Sequence, residues 1–314
     1  NLARVDYTDG TSSLLVEPQS TNSIAYSEDF SQWLTVGSPT LTNNYGVSPD
    51  GTQNSTRLEM VVSDRIYIAT SLSGDITFSV YLKGTGSIRL RDNTNLYIED
   101  VVLTSEWVRY ELVFNSTITS VQIQQVSGTS DLQIWGAQCE NLSYATSYIP
   151  TSGSTVTRNQ DIFTRDGIGS LINSTEGVLF VESSVLSNDG TYKAFSLSDG
   201  TTSNTIRFYT TPTLNQLAIR VTVSGSHEFN VVFTLTDLTV LNKMALKYKA
   251  NDFAFWVNGV EVKTSTSGNT YTANTLNSLQ FDRGDGADDF YGKVKQLQVY
   301  NTALSDSELA TLTT

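Results

Sequence analysis

The segment VRYELVF, residues 108–114, constrains the chain more than any other. Val108, Tyr110, Leu112 and Phe114 alternate with Arg109 and Glu111. A period of two makes a strand with one buried and one wet face. Strand-like runs of this kind recur at 77–82, 87–91 and 96–103, then in VQIQQV and LQIW. They resume with GVLFVESSV, KAFSLSDG, TIRFYTT, QLAIRVTVSG, MALKYKA and DFAFWVNGVEVKT. Gly, Ser, Thr and Asn punctuate them every ten or so residues, the rhythm of short strands joined by turns. Only the tail ALSDSELATL reads as a helix. Ser305 can cap it, Glu308 stands three places on, and Leu304 and Leu309 face inward. The expected fold is all-β: two consecutive antiparallel β-sandwiches of the jelly-roll kind, closed by a short C-terminal helix.

The β rhythm stops near Tyr148, where YIPTSGSTVTRNQD brings Pro150 and Gly153 among small polar residues. The boundaries expected are an extended arm at 1–22, a first sandwich at 23–148, a linker at 149–170 and a second sandwich at 171–314. The arm is expected to pack beside 144–158. Asn258-Gly259, between two apolar runs, suits the positive φ angles of a type I′ hairpin turn. The apolar phase slips between Val294 and Leu297, which predicts a β-bulge.

A net charge of -13 repels a phosphate backbone, so nucleic acid is excluded as a partner. It suits a soluble, extracellular-type protein with a neutral or polyhydroxylated ligand. No apolar run reaches the length of a membrane helix, so no membrane insertion is expected. The single cysteine, Cys139, permits no intrachain disulfide. With one histidine, His227, no Cys/His zinc site forms within one chain, and a Ser-His-Asp triad would have to use that turn-like position. The chain starts with Asn1 and shows no signal peptide, which reads as part of a longer or processed product. Sequons at Asn54, Asn115, Asn141 and Asn173 are no more than chance gives in so Asn/Ser/Thr-rich a chain.

Several segments resemble known patterns. IAYSEDFSQW, TFSVYLKG, EWVRYELVF and LQIWGAQCEN follow the order of a carbohydrate-binding-module jelly roll of the family 4/9 type. LLVEPQSTN and WGAQCENLSYATSYIPTSGSTVTR resemble a signature of bacteriophage tail and tail-fibre proteins. EGVLFVE, DFAFWVNGVEV and DFYGKVKQLQVYNTALSDSELATL resemble a laminin G-like, concanavalin A-like domain. The resemblance implies a virion adhesin in the tail or tail fibre, binding a host cell-surface glycan. It implies other tail subunits as partners, a homotrimer among them. The competing readings are a structural tail component and a polysaccharide depolymerase region.

Sugar sites need an aromatic ring beside hydrogen-bonding groups. In the first domain Tyr67 and Tyr97 lie near Arg89, Arg91 and Asp92 and form the candidate set. Trp33, Trp107 and Trp135 are weighed with them, and Trp107 and Trp135 read as packing. In the second, Arg207 and Tyr209 alternate with Ile206 and Phe208, so with the latter buried they lie on the opposite face; Trp256 reads as packing. Both resembled folds commonly hold structural calcium, which makes Glu28 and Asp29 candidate ligands. There the closing IWGAQ departs from the Asp-Asp of many relatives.

No E-x-D-x-E strand occurs, and the pairs Glu28-Asp29, Glu99-Asp100 and Asp288-Asp289 are adjacent. Adjacent strand residues point to opposite faces, so they make poor acid/base partners, and no enzyme is expected. FDRGDGADDF, from Phe281, contains an adhesion-like tripeptide at chance frequency. It reads as a solvated acidic hairpin, with Asp282, Asp285, Asp288 and Asp289 as the alternative calcium ligands.

Overall fold

A computed structural model describes residues 3–8 and 10–314. The chain divides into two compact units: residues 19–159, and residues up to Pro18 together with 160–314. Both are antiparallel β-sandwiches, and one short α-helix, Asp306–Thr313, closes the chain.

The first sandwich is organised by two long strands, Arg65–Thr85 and Val108–Gln124. They pair from Val108↔Leu82 to Gln124↔Arg65. Near the residue-82 end they are flanked by Thr129–Glu140, Ser55–Val61 and Thr40–Gly46. Near the residue-65 end the neighbours are Leu34–Val36, Ser87–Asp92 and Ile98–Val102. One hydrogen-bonded network thus supplies both layers. The pairing slips between Ile118 and Ser120. Before the slip the even positions Leu112, Phe114 and Ile118 are buried; after it the odd positions Val121 and Ile123 are. Without that bulge the strand would turn its apolar side outward halfway along.

In the second sandwich, among the described residues, one sheet has seven strands. Their order is Arg4–Asp6, Ser13–Val16, Gly292–Tyr300, Glu176–Val185, Asn242–Lys249, Phe253–Val257, Val260–Ser265. The other has six: Thr164–Asp166, Ser278–Gln280, Ala194–Ser198, Thr205–Thr210, Gln216–Val223, Ser226–Thr234. Leu179, Val181, Phe195, Leu197, Ile206, Phe208, Ile219 and Phe255 fill the space between them. Full burial of each such side chain is worth roughly 1.5–3 kcal/mol. The helix covers the opposite side of the larger sheet, where Leu309 packs with Val178, Phe180 and Trp256. That sheet is therefore buried on both faces, which is why GVLFVE runs apolar without alternation.

Local expectations are met at three places. Asn258 and Gly259 take φ of 47° and 80° between Val257 and its partner Val260. The predicted bulge is the register shift where Ser183 faces Val294 and Glu182 faces Gln296. Ser305 and Glu308 form a reciprocal capping box.

The boundaries differ from those expected. Ser13–Val16 joins the second sandwich by pairing with Gly292–Tyr300, whereas Ser20–Asn22 pairs with Val156–Arg158 in the first. Of the stretch expected as a linker, Thr164–Asp166 is an edge strand of the six-stranded sheet. Asn1, Leu2 and Asp9 of the expected arm lie outside the described residues. The acidic stretch is also no hairpin, because the strands on either side of it lie in different sheets. Phe281 and Phe290, at its two ends, are both buried and pin it to the core.

Candidate functional site

The strongest candidate is the outer face of the six-stranded sheet. In TIRFYT, Ile206 and Phe208 enter the core, so Thr205, Arg207 and Tyr209 point the other way. Register fixes their neighbours. Arg207 stands between Ser196 and Arg220, Tyr209 between Ala194 and Ala218, and Thr205 between Ser198 and Thr222. The two alanines leave the Tyr209 ring uncrowded by its strand neighbours. The Arg207 guanidinium carbon lies 4.5 Å from the ring centroid, that of Arg220 5.5 Å, and the Tyr192 ring 6.3 Å.

Like charges directly opposite on paired strands repel, yet among the described residues neither arginine has a hydrogen-bond or ion-pair partner. Arg207 is 9% exposed. Its Nε and that of Arg220 are enclosed without partners, as are Ser196 Oγ and Thr205 Oγ1. Burial pushes the Arg207 guanidinium below its ordinary value; Tyr209 opposes this, and the charges of Arg220 and Arg283 add to it. His227 belongs to the same neighbourhood. Its Nδ1 is 3.2 Å from Thr222 Oγ1. Burial, then Arg220 and Arg207, hold its imidazole below the usual range.

The acidic loop borders this face. A Cβ at Gly284, where φ is 102°, would lie 3.2 Å from Ser198 Cβ and 3.4 Å from Ser196 Oγ. The Ala194 amide donates to the Asp288 carbonyl at 2.9 Å. The four aspartates expected as calcium ligands are engaged separately. Asp282 accepts from the Gly284 amide at 2.6 Å, and burial raises its pKa. Asp285 accepts two bonds from Arg283, at 3.0 and 2.8 Å. Asp288 lies 3.5 Å from the same guanidinium. Asp289 accepts from Gln160 at 3.2 Å and from Tyr291 at 3.3 Å. Arg283 therefore supplies the positive charge that an ion would bring. Among the described residues no group of three or more Asp, Glu, His or Cys side chains is placed to hold a metal. The same ion pair turns the Arg283-Gly284-Asp285 tripeptide in on itself.

In the first sandwich the candidate set separates. Tyr67, Gln122 and Arg91 stand abreast on three paired strands, next to Arg65, Gln124 and Arg89. This face is largely satisfied: Arg89 is bidentate to Asp100 at 2.5 and 2.7 Å, and Arg91 donates to Gln124 at 2.7 Å. Tyr97 and Asp92 do not belong to it. The Tyr97 ring stacks on Phe114 at 5.2 Å, and its hydroxyl donates to the Asn115 carbonyl. Asp92 is fully buried and accepts from Thr94 and the Tyr97 amide, closing their loop. The loop 93–97 is too short to leave these side chains free, so Tyr97 serves packing and Asp92 serves loop closure.

Glu28 accepts from Tyr148 at 3.0 Å and Asn54 at 3.1 Å, while Asp29 caps a short 3-10 turn through the Ser31 amide. The two carboxylates thus turn to different partners rather than to one ion. Trp33 and Trp135 are buried, the latter between Tyr81 and Tyr148; Trp107 donates to the Val47 carbonyl and carries Lys83 4.9 Å above its ring. Trp256 packs under the helix.

With this geometry in view, sequence comparison bears on the second sandwich. Residues 180–310 match the family model of the concanavalin A-like lectin/glucanases superfamily. No curated protein matches the chain. Similar solved structures include the CBM40 of a Ruminococcus gnavus IT-sialidase bound to alpha2,3-sialyllactose. It is 18% identical, covers 48% of this chain and 98% of its own, and has a TM-score of 0.40. A pentraxin of Limulus polyphemus is 12% identical over 46% of this chain and 71% of its own, with a TM-score of 0.36. Mouse laminin alpha1 domains LG4-5 are 9% identical over 97% and 96%, with a TM-score of 0.30. Nothing about ligands follows from likeness at this level.

In the second sandwich, the sequence pattern pointed to Arg207 and Tyr209 but not to Arg220, Ser196, Thr205 or Tyr192. Strand register alone brings these together, and no local spacing signals it. The segment QLAIRVTV does place Arg220 out of phase with Ile219 and Val221, the one hint available.

Proposed function

We propose that the chain is a non-catalytic glycan-binding module, with the Tyr209 face of the second sandwich as its contact surface. The observation that carries this is a pair of tyrosine rings beside two unpartnered arginines and two unpartnered hydroxyls on an outer sheet face. Rings give C–H groups of a sugar a packing surface, and donors without partners gain most from a polyhydroxylated ligand. The pairs Glu28-Asp29 and Asp288-Asp289 are each divided between different partners, and Asp100 is taken up by Arg89, which favours a non-catalytic reading. The match over 180–310 to a superfamily described by both lectins and glucanases supports carbohydrate as the ligand class. From the linker signature we place the module in a bacteriophage tail, where host surface polysaccharide is the ligand. An array of capsule and lipopolysaccharide fragments tests it: binding lost on Tyr209→Ala is the expected outcome, and no binding to any glycan overturns it.

A structural role in subunit packing is favoured by one feature of the first sandwich. Leu34, Val36 and Ile98 are exposed and lie on the same side as Tyr67 and Arg91. Light scattering decides whether that surface joins copies of the chain, a trimer being the assembly the tail setting implies.

A further inference from the structure

We propose that the Tyr209 face takes an acidic sugar, whose carboxylate is held between Arg207 and Arg220 with Tyr192 and Tyr209 beside its ring. This rests on the glycan-binding reading and specifies its ligand class. The argument starts from the charge. The chain carries 32 acidic and 19 basic residues, so a basic side chain without a carboxylate partner runs against its average environment. Other arginines find one: Arg57 with Asp131, Arg89 with Asp100, Arg283 with Asp285. Arg207 and Arg220 do not. Arg65, Arg91 and Arg109 lack one as well, but Arg91 and Arg109 bond Gln124, Ser79 and Thr146, whereas Arg207 and Arg220 have no hydrogen-bond partner among the described residues and face each other across one strand pair.

Arg207 is buried to nine-tenths, and only its Nε is fully enclosed. A buried guanidinium without a counter-charge is costly, and a second one opposite raises that cost. The Asp288 charge reaches Arg207, but Arg283 lies 3.5 Å from that carboxylate. A planar fork of donors matches a carboxylate two bonds at a time, which a hydroxyl cannot do. Ser196 Oγ, in register with Arg207, and Thr205 Oγ1, two residues along the Arg207 strand, are enclosed without partners and offer Arg207 no carboxylate.

His227 provides the readout, since it is the single histidine of the chain and feels both arginines. An anion seated between them lifts its imidazole pKa; a neutral sugar does not. The probes are free glucuronate, galacturonate and N-acetylneuraminate, each with its methyl ester, titrated at millimolar concentration into the full chain and followed by the His227 ring signals. At least one acid is expected to raise the His227 titration midpoint and to bind about tenfold more tightly than its ester. Arg220→Gln should remove that difference, and Arg220→Lys should restore part of it, which controls for folding. If acid and ester bind alike, the ligand class is wrong and the glycan reading stands. If none of the three acids moves His227, the proposal fails while neutral glycans on the array still test the reading. Silence on both overturns the two together.

Discussion

Arg207 lays its guanidinium carbon 4.5 Å from the centre of the Tyr209 ring, two residues along the same strand. Each then fixes the other's rotamer, and the pair is worth about 0.5–2 kcal/mol depending on how dry the contact is. Tyr209→Ala is therefore expected to weaken glycan binding about tenfold or more without unfolding the sandwich, because Tyr209 lies outside the core. Calorimetric titration against an array hit, with circular dichroism as the folding control, measures both. Unchanged affinity removes Tyr209 from the site.

His227 should titrate below the ordinary histidine value, because burial and then Arg220 and Arg207 disfavour its charged form. The unfolded chain then binds the proton more readily. Its contribution to stability is present above the unfolded value and is lost as pH falls through that value toward the folded one. Arg220→Gln should move the midpoint up. NMR titration of the ring gives the direction; a midpoint above the unfolded value contradicts the geometry.

Calcium is expected to leave the melting temperature unchanged, since Arg283 already neutralises Asp285 and Asp288. A melting point that climbs steadily with millimolar calcium would mean that backbone carbonyls complete a site the carboxylates do not make.

Ser305→Ala removes the hydroxyl that accepts from the Glu308 amide and breaks the capping box. A loss of about 1 kcal/mol is expected. Since Trp256 packs against Leu309 under this helix, its fluorescence should shift before the rest of the sandwich melts. Coincident transitions would show that the helix and sheet unfold together.

Cys139 is fully buried, and burial, with the Glu140 charge, pushes its thiol up. The thiolate is the reactive form. Native protein should therefore resist thiol reagents, with labelling appearing only as the first sandwich opens. Prompt native labelling would mean that the strand Thr129–Glu140 frays far below global unfolding.

Much of the architecture was legible because it is local. Alternation gave the strands, Asn258-Gly259 the hairpin, the slipped phase at Val294–Leu297 the bulge, and Ser305 with Glu308 the cap. The odd-even pattern also put Arg207 and Tyr209 on the face opposite Ile206 and Phe208. What remained hidden depends on pairing at a distance. Nothing within SLLV announces that Ser13–Val16 lies against a strand almost 280 residues on, and a three-residue edge strand such as Thr164–Asp166 is too short to show a period. Asp92 and Tyr97 looked like binding groups because polarity is visible in a sequence and loop closure is not. Arg220 was missed because cross-strand register, rather than spacing, sets it opposite Arg207.

The split of the second sandwich around the first bears on the order of events during synthesis. Ser13–Val16 emerges well before its partner Gly292–Tyr300, which is made almost 280 residues later. Loop closure over such a span is slow for a flexible chain. The intervening residues 19–159 can collapse first, and the pairing of Ser20–Asn22 with Val156–Arg158 then brings their two ends side by side. The completed inner sandwich acts as a clasp: it converts a long search by the leading strand into a short one.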